Sequence, residues 1–178
     1  MKVMGYVFLL CMPLVFVMCN SDGTISGLCG EKGSDVKWSF DTEDGVLVIS
    51  GNGMMKSYAD LGTPWCLFRD SIDSVQIDEG VTSIGDLAFG GCSGLTGIAI
   101  PGSVTGIGDW AFFDCPNLKS VKVEWSAPLP VSCTVFSYDD NDYMKKLLSG
   151  CTLYVPKGTL PEYESADVWK YFGKIEEY

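Results

Sequence analysis

"IGDLAFGGCSGL" spans residues 84–95 and "IGDWAFFDCPNL" spans residues 107–118, with apolar, small and cysteine positions in the same order. Aligning residues 77–99 with 100–122 shows that Ile77, Val81, Thr82, Ile84, Gly85, Asp86, Ala88, Phe89, Cys92 and Leu95 all recur one 23-residue period later. Unrelated segments would share far fewer identities. A fixed period of about 20 to 30 residues marks an array in which each unit forms one coil and buries its apolar side against the next. One coil cannot cover its own apolar face, so the repetition itself argues for stacking.

Each unit carries an L-x-x-L-x-L pattern, Leu95, Ile98 and Ile100 in "LTGIAI" and Leu118, Val121 and Val123 in "LKSVKV". Alternation at the last two positions predicts a short strand with one side inward. "IDSVQI" repeats the scheme at Ile72, Val75 and Ile77, so three strands are expected to pair in parallel at 23-residue steps. "VTSIG" and "VTGIG" predict a second extended piece, closed by Gly85 and Gly108 where the chain turns sharply. Ala88, Phe89, Ala111 and Phe112 are expected inward, the alanine allowing close backbone approach and the ring filling the coil. Cys92 and Cys115 share an inward slot and are expected as a ladder of buried thiols hydrogen-bonded to turn backbone, about 4.8 Å apart.

"IPGSVTGIGDWAFFDCPNLKSVKV", residues 100–123, resembles the repeat of the BspA-like, Treponema-type leucine-rich repeat family, whose units run IPxSVTxIGxxAFxxCxxLxxVxI. The preceding unit departs only at "IDEGV". The flanks "CGEKGSDVKWSFDTEDGVLVISGNGMM" with "TPW", and "CTLYVPKGTLPEYESADVWKYFGKIEE", are similar to the family's two ends. The resemblance covers residues 28–177 and implies a mainly β solenoid, a short array with an amino-terminal β-hairpin cap and a carboxyl-terminal cap of strand and short helix. The expected divisions are a signal at 1–21, a β cap at 22–66, repeats at 67–156 and a closing cap at 157–178.

Open ends of a repeat array expose apolar residues unless capped. "VKWSF" and "VLVIS", joined through Asp44-Gly45, predict a hairpin with Trp38, Phe40, Leu47 and Ile49 on one side. At the other end "VEWSAPLPVSCTVF" reads as a degenerate coil and "TLYVPKG" as a final strand through Leu153 and Val155. "PEYESADVWKYF" then carries Tyr163, Trp169 and Phe172 over the last coil.

Lys2 is the only charge before Asp22, and the apolar run between them, about 16 residues, is shorter than the roughly 20 that span a bilayer. It has the place and character of an export signal. Cys19 stands where a lipoprotein carries its lipidated cysteine, although Met18 before it is not small. Cleavage after Ser21 would instead give a free chain, and both outcomes stay open.

Across the chain 23 Asp and Glu face 12 Lys and Arg, of which Arg69 is the single arginine. That balance offers no basic footprint for nucleic acid and no electrostatic grip on anionic lipid, so membrane contact is expected only through a lipid anchor. The absence of histidine removes Ser-His-Asp and Cys-His activation and HExxH zinc sites. No CxxC pair occurs, "DDND" at 139–142 lacks the glycine and terminal glutamate of an EF-hand, and "DTEDG" at 41–45 reads as a turn. No metal, cofactor or catalytic residue is therefore expected.

The candidate binding residues are the outward positions of the three strands: Asp73, Ser74 and Gln76; Thr96, Gly97 and Ala99; Lys119, Ser120 and Lys122. A sheet face is where repeat arrays usually place their contacts. Disulfides Cys133–Cys151 and Cys29–Cys66 are candidates in an exported chain. The resemblance implies a non-enzymatic, protein-binding module of a bacterial surface, mediating adhesion to host proteins or other cells. The alternative is a glycan-binding or envelope-assembly accessory, for which exposed aromatic residues near Trp110, Phe113 or Trp125 would be needed.

Overall fold

The computed structural model describes residues 18–19, 23–32, 35–137 and 141–178. The expected export signal lies outside them apart from the backbone of Met18 and Cys19, and so do the first two residues of "DDND".

Twelve strands form two sheets among the described residues. They are β1 (Met18–Cys19), β2 (Thr24–Leu28), β3 (Lys37–Asp41), β4 (Val46–Ser50), β5 (Gly53–Met54), β6 (Ser74–Ile77), β7 (Val81–Ile84), β8 (Gly97–Ile100), β9 (Gly106–Ile107), β10 (Ser120–Val123), β11 (Thr152–Val155) and β12 (Lys174–Glu177). The larger sheet has nine strands in the order β1-β2-β3-β4-β6-β8-β10-β11-β12, and the smaller one runs β5-β7-β9. From β4 onward every pair in the large sheet is parallel. Val75 lies beside Ile98 and Ile98 beside Val121, the 23-residue register read from the sequence. In the small sheet Ser83 pairs with Gly106 and Ile84 with Ile107 at the same offset.

A third line of backbone bonds joins the repeats at the "LAF" and "WAF" turns. Amides of Leu87, Phe89 and Gly91 donate to the carbonyls of Asp109, Ala111 and Phe113 at 3.0, 2.9 and 2.8 Å. Those of Trp110 and Phe112 donate to Thr134 and Val135, both at 2.9 Å. Leu87 and Trp110 occupy the same slot and both adopt left-handed backbone, φ 54° and 57°. That conformation costs a non-glycine residue roughly 1–2 kcal/mol. Here it accompanies amides aimed along the stack, so the turn's donors are paired with the neighbouring repeat rather than left orphaned.

The glycines expected at sharp turns act differently. Neither Gly85 nor Gly108 has positive φ. A Cβ on Gly85 would sit 2.6 Å from the Lys56 carbonyl carbon, and one on Gly108 2.5 Å from the Asp86 amide nitrogen. What these positions require is close contact between successive coils.

The core is a column of rings. Trp65, Phe89, Phe112 and Phe136 stack with centroids 5.7, 5.6 and 5.6 Å apart. Ala88 and Ala111 are fully buried beside them. Trp38 closes one end edge-on against Trp65 at 5.9 Å, and Phe172 closes the other against Phe136 at 6.2 Å. Burying each such side chain contributes about 1.5–3 kcal/mol, so the column is a principal source of cohesion between repeats.

The β3–β4 hairpin forms as expected, with Trp38, Phe40, Leu47 and Ile49 buried. Its turn is held by Asp41 Oδ1, which accepts from the Glu43 and Asp44 amides at 2.9 and 3.2 Å. Strands β1 and β2 extend this end antiparallel, which the sequence pattern did not signal. At the opposite end β11 is not the last strand: β12 pairs beyond it in parallel. Helix α1 (Asn141–Leu148) lies within the segment between Cys133 and Cys151 and buries Met144 and Leu148. Helix α2 (Leu160–Ser165) and the turn at Trp169–Tyr171 bury Tyr163, Trp169 and Phe172 as expected.

Candidate binding face

The outward side of the large sheet carries two rows of side chains across its strands. One runs Asp41, Val46, Ser74, Gly97, Ser120, Thr152 and Lys174; the other runs Ser39, Val48, Gln76, Ala99, Lys122, Tyr154 and Glu176. Alternation of the strands sends their neighbours Val75, Ile98, Val121 and Leu153 into the core. Of the expected outward residues, Ser74, Gln76, Gly97, Ala99, Ser120 and Lys122 fall in these rows, whereas Asp73, Thr96 and Lys119 precede their strands and fall in neither.

Their chemistry is uneven. Thr96 Oγ1 lies 3.1 Å from both the carbonyl and a carboxylate oxygen of Asp73, so its hydroxyl is spent on the preceding repeat. Ser120 Oγ reaches Thr96 O at 3.5 Å in the same sense. A Cβ on Gly97 would meet Ser120 Oγ at 2.8 Å, which holds that part of the face flat. Gln76 donates to Asp78 at 2.9 Å. Lys122 is 3.5 Å from Glu124 and 4.3 Å from the centre of the Tyr178 ring. Lys122, on β10, is thus engaged along one edge, whereas Lys119, just before β10, lies near α1.

The recurring Asp of "IGD" serves the stack. Asp86 Oδ1 accepts from the Asp109 amide at 2.9 Å, Asp109 Oδ1 accepts from the Thr134 hydroxyl, and the Asp86 amide donates to Ser57 Oγ at 3.1 Å. These carboxylates join successive repeats.

Among the described residues Cys29, Cys66, Cys92, Cys115, Cys133 and Cys151 carry free thiols, and the expected Cys133–Cys151 and Cys29–Cys66 bridges are not formed. Cys151 points inward, its Sγ 2.9 Å from the Leu118 carbonyl, while Cys133 sits half-buried on a short turn. Cys115 Sγ donates to the Phe89 carbonyl at 3.2 Å, which is the thiol-to-turn bond the repeat pattern suggested. Burial pushes Cys29 and Cys92 up to about 12 and Cys151 up to about 11. A thiol held protonated in this way is a poor nucleophile.

Trp125, named among the exposed aromatic residues a glycan reading would need, is buried, its Nε1 donating to the Val104 carbonyl at 2.7 Å. Trp110 and Phe113 are half-buried at the turns. Among the described residues no group of three or more Cys, Asp or Glu could hold a metal ion, and no helix is long and apolar enough to cross a membrane.

The sequence model of the family described as "BspA type Leucine rich repeat region (6 copies)" matches residues 65–137. Residues 65–137 are BspA-type leucine-rich repeats. No curated protein matches the chain. Among solved structures, a leucine-rich repeat protein from Eubacterium ventriosum ATCC 27560 is 22% identical over 87% of this chain and 40% of that one, with a TM-score of 0.48. The chain thus spans less than half the length of that protein. Leucine-rich repeats point to a protein-interaction module.

Proposed function

We propose that the chain is a short β solenoid that binds protein through the outward face of its large sheet. Supporting this is one observation above the others: the row Ser74–Gly97–Ser120, with Ala99 between Gln76 and Lys122 in the next row, presents mostly short side chains over adjacent strands, a platform that a partner backbone can approach. The candidate contacts are Asp73, Ser74, Gln76, Thr96, Ala99, Lys119, Ser120 and Lys122. The cap at 22–66, the repeats at 67–156 and the closing segment at 157–178 serve one purpose, keeping that sheet in register. No catalytic role is assigned.

The apolar leader supports export, with the mature chain at a bacterial surface or secreted, and with Cys19 as the site of lipid attachment if it is anchored. Adhesion to host proteins or to other cells is the role that fits an exported binding module. The test is saturable binding of the mature chain to immobilised extracellular-matrix proteins and mucin. Ala99→Arg, which sets a long cation in the middle of the face, should abolish binding without moving the unfolding midpoint. Binding that survives Ala99→Arg and Gln76→Arg would place the contact elsewhere, and no saturable binding to any of these would remove the adhesion reading.

A further inference from the structure

A second surface is built where α1 turns back onto the last complete repeat. Pro116, Asn117, Leu118 and Lys119 form one wall of a depression of about 420 Å³, and Tyr143, Lys146, Leu147 and Gly150 form the other. That volume falls in the range of small-molecule sites. The chain carries a net charge of −11, yet two lysines and no carboxylate line this hollow. Among the described residues Lys119 and Lys146 make no ion pair, whereas Lys122, Lys145, Lys170 and Lys174 each have an acidic partner. Asp142, the acid of α1, lies 4.0 Å from Lys145, and the carboxylate that acts on Tyr143 is Asp114, outside the lining. Tyr143 is 39% exposed, leaving an aromatic surface within reach of solvent. Asn117 spends its amide donor on the Ser93 carbonyl at 2.8 Å, which orients the side chain and leaves its oxygen to accept.

From this juxtaposition we propose that the depression between residues 116–119 and α1 binds an acidic saccharide. The carboxylate of a uronic acid would lie between the Lys119 and Lys146 ammonium groups, the ring would rest on Tyr143, and a hydroxyl would donate to the Asn117 oxygen. A peptide carboxylate would use the two lysines alone, whereas a sugar ring uses the aromatic wall and the acceptor as well; the four groups together favour the saccharide. The site lies beside the sheet face and shares Lys119 with its candidate contacts, while Lys146, Tyr143 and Asn117 belong to the hollow alone.

The experiment is a calorimetric or NMR titration of the mature chain with a glucuronate-containing tetrasaccharide, neutral cellotetraose and a tetraglutamate peptide. The proposal expects saturable binding of the acidic saccharide and none of cellotetraose. Lys119→Ala, Lys146→Ala and Tyr143→Ala should each weaken the affinity at least tenfold with unchanged unfolding midpoints, and Lys146→Gln supplies a milder variant should any of these unfold. Ala99→Arg should leave saccharide binding intact, which separates this site from the sheet face. Absence of saturable binding, equal binding of the neutral sugar, or indifference to the lysine substitutions would overturn the proposal. So would tetraglutamate binding as tightly as the saccharide and keeping its affinity in Tyr143→Ala, which would assign the hollow to acidic peptide.

Discussion

The Cys115 thiol donates to the Phe89 carbonyl of the preceding repeat across 3.2 Å, in the dry space beside the stacked Phe89 and Phe112 rings. The bond ties one repeat's cysteine to the previous repeat's turn. It also fixes the thiol in its protonated, donating form, and burial pushes its pKa up.

Alkaline destabilisation follows. Cys29 and Cys92 are pushed up to about 12 by burial, against an unfolded thiol near about 8.5. Between those values the folded chain holds more protons than the unfolded chain, so stability is full below about pH 8.5 and falls as pH rises toward 12. Each such thiol should cost on the order of 2 kcal/mol between pH 8.5 and pH 10. Urea unfolding at several pH values checks this: Cys92→Ala should be less stable at neutral pH but show a shallower loss above pH 9 than the parent.

Gly85→Ala and Gly108→Ala should each destabilise by about 1–3 kcal/mol, because the new methyl group would overlap backbone of the neighbouring coil that has nowhere to move. Gly106→Ala is the control, since nothing lies within 4 Å of a Cβ there. Chemical denaturation of the three variants should separate them cleanly.

Asp114 adopts φ 53° in the slot where the preceding repeat has Gly91 at φ 71°. Its side chain is exposed, so Asp114→Gly removes left-handed strain without uncovering the core. Stabilisation of about 0.5–1 kcal/mol is expected in urea unfolding. A loss of stability would show that the Asp114 side chain makes a compensating contact.

The repeat was legible because the interior demands the same atoms at the same height in each coil. Phe89 and Phe112, Cys92 and Cys115, and the strand apices Val75, Ile98 and Val121 are all forced by that register. Features outside the period left weaker marks. Leu87 and Trp110 are not residue types that announce left-handed backbone, so the amide line they direct was invisible. Strand β2, "TISGL", has no strongly apolar face and is defined by its pairing with β3. The α1 hollow draws Lys119 from a repeat and Tyr143 from an insertion, and only folding brings them together. Nothing in the degenerate coil around Trp125 marked it as buried, yet its indole lies inside and bonds the Val104 carbonyl.

A double-mutant cycle on Phe89→Ala and Phe112→Ala, read by urea unfolding, bears most directly on whether consecutive coils share one interior. Each single change should cost about 3–5 kcal/mol, and the pair should show a coupling energy of about 0.5–1.5 kcal/mol, because their rings stack 5.6 Å apart with planes 10° from parallel. Strict additivity, within about 0.3 kcal/mol, would mean that the two rings do not meet and that the repeats do not stack as described.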